Sequence, residues 1–175
     1  QDHPEWGKTV SGISNIKTNP HVGYAGLSED FMDKGFRILT PILEEWSGIE
    51  LLPTVGYGIR HYPDGSVLNL HRDVIQSHVL SCIVYVDRIS SKNWALDYYD
   101  HQNNHHEVFF EKGDVLLYES LCVHGRTTPF EGEFYRNMYF HWRPAVWEEH
   151  FLEKYRRMKA SFRDEEHLLQ YYAKT

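Results

Sequence analysis

The sequence predicts a mostly β fold with flanking helices, a sandwich or barrel of about eight short strands. Three observations predict it. Between residues 54 and 143, short runs rich in Val, Ile, Tyr and Phe recur, divided by turn chemistry at Pro63-Asp64-Gly65, Lys112-Gly113-Asp114 and Pro129 through Gly132. On either side of this stretch the apolar period lengthens to three and four residues. The 175 residues are 41% hydrophobic and 25% charged, a size and composition suited to one domain with a core of its own.

In chain order, Ser28 to Trp46 places Met32, Phe36, Leu39, Leu43 and Trp46 on one helical stripe, with Glu29 and Asp30 suiting a helix start. Pro41 predicts a kink or break there. This support region, about 28–46, precedes a β-core over about 54–143. The runs Thr54–Tyr62, Ser66–His71, His78–Asp87, Ala95–Tyr99, Glu107–Phe110, Asp114–Tyr118, Leu121–Arg126 and Phe134–Trp142 read as its strands. Over about 145–172, Trp147, Phe151, Tyr155, Met158 and Phe162 form a second helical stripe. The basic residues beside it, Lys154, Arg156, Arg157, Lys159 and Arg163, read as a solvated face. No repeat or linker divides residues 1–175, so a single domain is expected.

The formal charge of −7 argues against a protein that grips nucleic acid through phosphates. No apolar run has the length of a membrane span. Cys82 and Cys122 are too few for a disulfide framework, and no N-x-[ST] sequon occurs. The chain reads as soluble, with a cytoplasmic setting favoured; it begins at Gln1 and carries no visible leader pattern.

The 12 His invite a search for metal ligands. His71-Arg72-Asp73 ends a strand, and alternation turns its imidazole and carboxylate to one face. One further His from a neighbouring strand completes the two-His, one-carboxylate triad that holds Fe(II) and leaves positions open. A His-rich chain throws up such pairs by chance; His3-x-Glu5 near the terminus and His105-x-Glu107 in a polar loop are others. Context singles out His71 and Asp73, which follow a tight turn, and His124 ends a short strand 51 residues after Asp73. Arg126 lies two residues past His124 and Arg136 twelve past it. An arginine turned into a sheet core is costly unless it meets an anion, and its planar fork suits a carboxylate.

The stretch Tyr57–Pro144 resembles the double-stranded β-helix (jelly-roll, cupin-like) core of Fe(II)- and 2-oxoglutarate-dependent dioxygenases, nearest the prolyl 4-hydroxylase type. The resemblance runs through Tyr62-Pro-Asp-Gly, His71-x-Asp73, His78–Asp87, Gly113-Asp114 with Leu117-Tyr118, His124-Gly-Arg126, and Asn137 to Pro144. It implies that His71, Asp73 and His124 bind iron and that Tyr62 and Tyr85 line the 2-oxoglutarate pocket. In the family a basic residue roughly nine to eleven positions after the distal His holds the far carboxylate. Here that window holds Glu133, Phe134 and Tyr135, leaving Arg126, slightly preferred, or Arg136 just beyond.

The implied reaction hydroxylates an unactivated C–H with O2, giving succinate and CO2, with ascorbate supportive. The resemblance favours a prolyl residue in a peptide or protein, with a small-molecule substrate as the other possibility. Trp94, Tyr98, Tyr99, Trp142 and Arg143 are candidates for an aromatic entrance. Two rivals stand beside this reading. A cupin-like metal enzyme would work without 2-oxoglutarate, although Arg72-Asp73 does not match a cupin's H-x-H. A jelly-roll binding module with a vestigial metal site is the other. Oligomeric state is not legible in the sequence.

Overall fold

A computed structural model describes residues 16–17 and 22–146. The elements are β1 (Ile16–Lys17), β2 (Gly23–Ala25), α1 (Glu29–Ser47), β3 (Leu51–Pro63), β4 (Val67–His71), β5 (Leu80–Ile89), β6 (Leu96–Tyr99), β7 (His105–Val108), β8 (Val115–Glu119), β9 (His124–Arg126) and β10 (Phe134–Pro144). The helix expected over 145–172, with its apolar stripe and basic residues, lies almost wholly outside the described residues, as do His3 and Glu5. Among the described residues no helix is long and apolar enough to cross a membrane.

The strands form two antiparallel five-stranded sheets, ordered β1-β4-β9-β6-β7 and β2-β3-β10-β5-β8. From β3 onward the chain winds between them, which makes the fold a double-stranded β-helix, the jelly roll. The turn from β3 to β4 is made by Pro63-Asp64-Gly65, where Gly65 takes φ 73°.

Alternation along β10 gives the second sheet two different faces. Tyr135 and Tyr139 turn inward to a core with Tyr62, Ile83, Tyr85, Trp94, Phe110, Tyr118 and Phe130. Phe140 and Trp142 turn outward and pack with Leu39, Leu43, Leu51, Leu80 and Cys82. That outer layer is made by α1. Ser28 caps it by accepting from the Phe31 N–H, Glu29 and Asp30 sit in its first turn, and Gly48 closes it in the left-handed conformation. Phe36 meets Phe140 and Trp142 edge-on at 5.2 and 5.3 Å, and the Trp142 indole donates to Thr40 Oγ1 at 2.9 Å.

Two expectations need correcting. The helix runs unbroken through Pro41, so the break expected there does not occur. The ring costs one backbone bond, and buried Leu39 and Leu43 hold the turns on either side to the sheet. The aromatic entrance is not built from tryptophans: Trp142 is buried under α1, and Trp94 is buried in the interior core.

Candidate metal centre

β4 and β9 are neighbours in the first sheet, with His71 opposite His124. Their close approach depends on Gly125: a Cβ there would lie 2.7 Å from the Leu68 carbonyl oxygen and 2.9 Å from that of Asn69. Beyond β4 the Asp73 N–H donates to the Ser120 carbonyl at 3.0 Å, which brings the carboxylate back under both rings. Asp73 Oδ1 lies 3.5 Å from His71 Nε2, and Oδ2 lies 3.9 Å from His124 Nε2. One ligand atom from each of the three lies within 4.8 Å of the others.

The rings are oriented by their own strands. His71 Nδ1 donates to the Asn69 carbonyl at 2.8 Å, and His124 Nδ1 to the Cys122 carbonyl at 2.9 Å. That makes Nδ1 the donor to the backbone in each ring and turns both Nε2 atoms toward Asp73. Protonation agrees with ligation. Burial pushes His124 down to about 4, against the pull of Asp73, so it is neutral at neutral pH. Burial would raise the Asp73 carboxyl, but the His71 hydrogen bond and the nearby His124 and His141 outweigh it and hold the group well below the usual carboxylate range. A neutral imidazole and an ionised carboxylate are the forms that bind a divalent cation.

His141 and His78 back this centre, and the sequence reading had no role for either. Their rings lie 3.9 Å apart. His141 Nδ1 is 2.6 Å from Ser81 Oγ and 3.9 Å from Asp73 Oδ2. His78 Nδ1 is 2.6 Å from Ser77 Oγ, with its Nε2 3.2 Å from the Tyr57 hydroxyl.

Arg126 extends from His124 into the closed end of the interior. It is 1% exposed, donates to the Trp94 carbonyl, and donates to the Tyr135 hydroxyl at 3.0 Å. Its guanidinium carbon lies 4.6 Å from the centroids of both the Trp94 and Tyr135 rings. Arg126 has no carboxylate partner among the described residues, and its Nε is buried without a hydrogen bond, as is Asn137 Oδ1. A buried cation with an orphaned donor fits an anionic ligand.

Tyr62 is fully buried beside it, its hydroxyl 2.9 Å from that of Tyr139, which accepts from Asn137 Nδ2 at 3.0 Å. Tyr85 joins the same core, its ring 5.2 Å from Tyr135, with a hydroxyl that accepts from Arg88 at 3.3 Å. Arg136 is elsewhere. It shares the outer face with Phe140, its Nε donates to His61 Nδ1 at 3.2 Å, and its Nη1 lies 3.5 Å from Asp87. It is not a pocket residue. Tyr135, the inward member of the expected window, meets Arg126 instead.

No family model and no curated protein matches the chain. Several solved structures share its fold. HygX from Streptomyces hygroscopicus, solved with nickel and 2-oxoglutarate, is 19% identical, covers 81% of this chain and 74% of its own, and superposes with a TM-score of 0.57. Another structure of it holds hygromycin B as well. The viral collagen prolyl hydroxylase of Paramecium Bursaria Chlorella virus-1, as its 2-oxoglutarate complex, is 10% identical with a TM-score of 0.55 over 71% of this chain and 78% of its own. A 2OG-Fe(II) oxygenase family protein from Burkholderia pseudomallei is 11% identical with a TM-score of 0.54, over 63% of this chain but 55% of that one. At these identities the likeness establishes the fold, the jelly roll of 2-oxoglutarate oxygenases.

Proposed function

We propose that the chain is an Fe(II)- and 2-oxoglutarate-dependent oxygenase that hydroxylates an unactivated C–H, with succinate and CO2 as co-products. One observation carries it: His124 of the two-His, one-carboxylate set and the buried, acid-free Arg126 lie on one strand, β9, on one face and two residues apart. Two strand residues span about 6.6 Å, the scale of a five-carbon diacid that chelates a metal at one end and reaches an arginine at the other.

His71, Asp73 and His124 would hold the iron. Imidazole and carboxylate donors suit Fe(II), though ligand type alone accepts Mn, Co or Ni. The bound metal and 2-oxoglutarate supply the activation of O2 and the oxidising power. This chain's residues do the rest. The Asn69 and Cys122 carbonyls fix the two imidazoles, and the Ser120 carbonyl fixes Asp73. Arg126 receives the far carboxylate, with Tyr135, Tyr62 and Tyr85 as its aromatic walls. The closed aromatic end excludes water from that anion and strengthens its pairing.

On the substrate, a prolyl residue is the reading that the motif resemblance favours, and a prolyl hydroxylase is among the proteins of like fold. A small molecule is the second reading, supported by HygX holding hygromycin B. The test is succinate and CO2 formation from 2-oxoglutarate with Fe(II) and ascorbate. Turnover is expected in the wild type and at background in His71→Ala. In Arg126→Gln the KM for 2-oxoglutarate is expected to rise about 10- to 100-fold, the scale of a lost charge-assisted pair. No turnover, together with no thermal shift from 2-oxoglutarate and Mn(II), would favour the cupin-like enzyme or the binding module.

A further inference from the structure

The interior holds a second arginine, Arg60, to which the reading above gives no role. Arg60 stands on β3 opposite Asn137, on the face that also carries Tyr57 and Tyr62. Its guanidinium carbon lies 5.1 Å from the Tyr57 ring centroid and 4.6 Å from that of Tyr139. No carboxylate among the described residues pairs with it. Two tyrosine faces and a hydrogen bond with the Tyr62 hydroxyl steady the guanidinium but do not neutralise it.

Its position differs from that of Arg126 in two ways. Arg126 is sealed at 1% exposure, whereas Arg60 keeps some of its surface open. Arg60 packs on Tyr57, whose hydroxyl is 3.2 Å from His78 Nε2 and whose ring is 5.4 Å from that of His141, so it lies on the metal side of the interior. Arg126 lies instead over Trp94 and Tyr135, and the two arginines share Tyr139 between them.

Charge balance points the same way. Arg60, Arg126 and a divalent metal outweigh Asp73, and a dianionic cosubstrate still leaves about one positive charge in a low-dielectric interior. We propose that Arg60 binds a carboxylate of the primary substrate, so that the molecule oxidised is an organic acid. For a prolyl substrate this means free proline or a chain-terminal prolyl carboxylate, not an internal residue. The inference rests on the oxygenase reading above and narrows its substrate.

The test compares the common free amino acids and proline-terminated dipeptides, each against its primary amide. Two readouts are taken: succinate formation by the Fe(II)-loaded chain, and the melting temperature of the Mn(II)-loaded chain. At least one acid is expected to accelerate succinate formation and raise the melting temperature, with its amide about tenfold or more weaker. In Arg60→Gln that preference collapses to about twofold or less, and Arg60→Lys, which keeps the charge but not the fork, retains part of it. Affinity for 2-oxoglutarate falls far less in Arg60→Gln than in Arg126→Gln. Equal response to acid and amide, or no response to any acid, overturns the proposal. So does a loss of 2-oxoglutarate affinity in Arg60→Gln as large as in Arg126→Gln, which would give Arg60 to the cosubstrate. If Arg60→Gln does not fold, Arg60→Lys carries the comparison. A wild type that binds and discriminates acids but consumes no 2-oxoglutarate overturns the oxygenase reading alone.

Discussion

Two sets of three ligand-type side chains lie among the described residues, and they are built differently. His71, Asp73 and His124 have side chains only 14%, 16% and 4% exposed. Each imidazole is aimed by a backbone carbonyl two residues earlier, and the carboxylate is held by the bond from its own backbone N–H. His101, Glu119 and Cys122 also bring their ligand atoms within 4.8 Å, beside a cavity of about 340 Å³. There, however, His101 is exposed, Glu119 is half-exposed, and the two are already paired with each other at 2.9 Å. Burial raises the Cys122 thiol, away from the thiolate a metal needs. Proximity alone is shared by both sets. Burial, fixed tautomers and an outer shell belong to the first.

This contrast yields predictions in descending size. Asp73→Ala should cut Fe(II) affinity and succinate formation by at least about a hundredfold, beyond the 10- to 100-fold that loss of an outer-shell partner costs. Glu119→Ala should leave both within about twofold, since its carboxylate is half-exposed and paired with His101 rather than with the first set. Iron analysis of the purified variants and the succinate assay check the pair. Equal losses would abolish the distinction.

Gly125→Ala should come next. Its Cβ would press on the Leu68 and Asn69 carbonyls and spread β9 from β4, the pair that brings His71 to His124. Iron affinity is expected to fall about 10- to 100-fold, an outer-shell loss in size. The nearby pair His101 and Glu119 does not lie on β9, so its geometry should survive. An Fe(II) titration of the purified variant measures the first effect.

The smallest effect is on pH dependence. His124 has an ordinary value of 6.5 and a folded value of about 4. As pH falls the unfolded chain takes up its proton first, so stability present above about 6.5 is lost progressively down to about 4. Thermal melts of the metal-free chain should show the melting temperature falling across that window. His124→Gln, which cannot protonate, should flatten the fall.

The H-x-D of His71 and Asp73 was legible in the sequence because its spacing is local and it closes a strand; His124, which begins β9 rather than ending a strand as expected, is brought to it only by the pairing of β4 with β9. The arginines divide differently. Arg126 was legible because it shares the face of His124. Arg136 was not, because a period of two does not say which of its two registers faces inward. In β10 the inward set is Tyr135, Asn137, Tyr139 and His141, and Arg136 falls in the other. Trp142 was misread for the same reason. Arg60 could have been found by counting back two from Tyr62, but its meaning depends on which tyrosines surround it across the sheet. That is information of tertiary structure. Pro41 shows the limit of local rules in the opposite sense, since packing on the sheet overrides a residue that ends isolated helices.

The central claim is that one metal at His71, Asp73 and His124 presents its open positions to a 2-oxo acid anchored by Arg126. The most direct test is an anaerobic titration of the Fe(II)-loaded chain with 2-oxoglutarate, followed by the visible charge-transfer absorption of a 2-oxo acid chelated to Fe(II). The account predicts that the band appears and saturates in the wild type. In Arg126→Gln it should appear only at about 10- to 100-fold higher concentration, and in Asp73→Ala not at all. A wild type that binds Fe(II) but gives no band would contradict it.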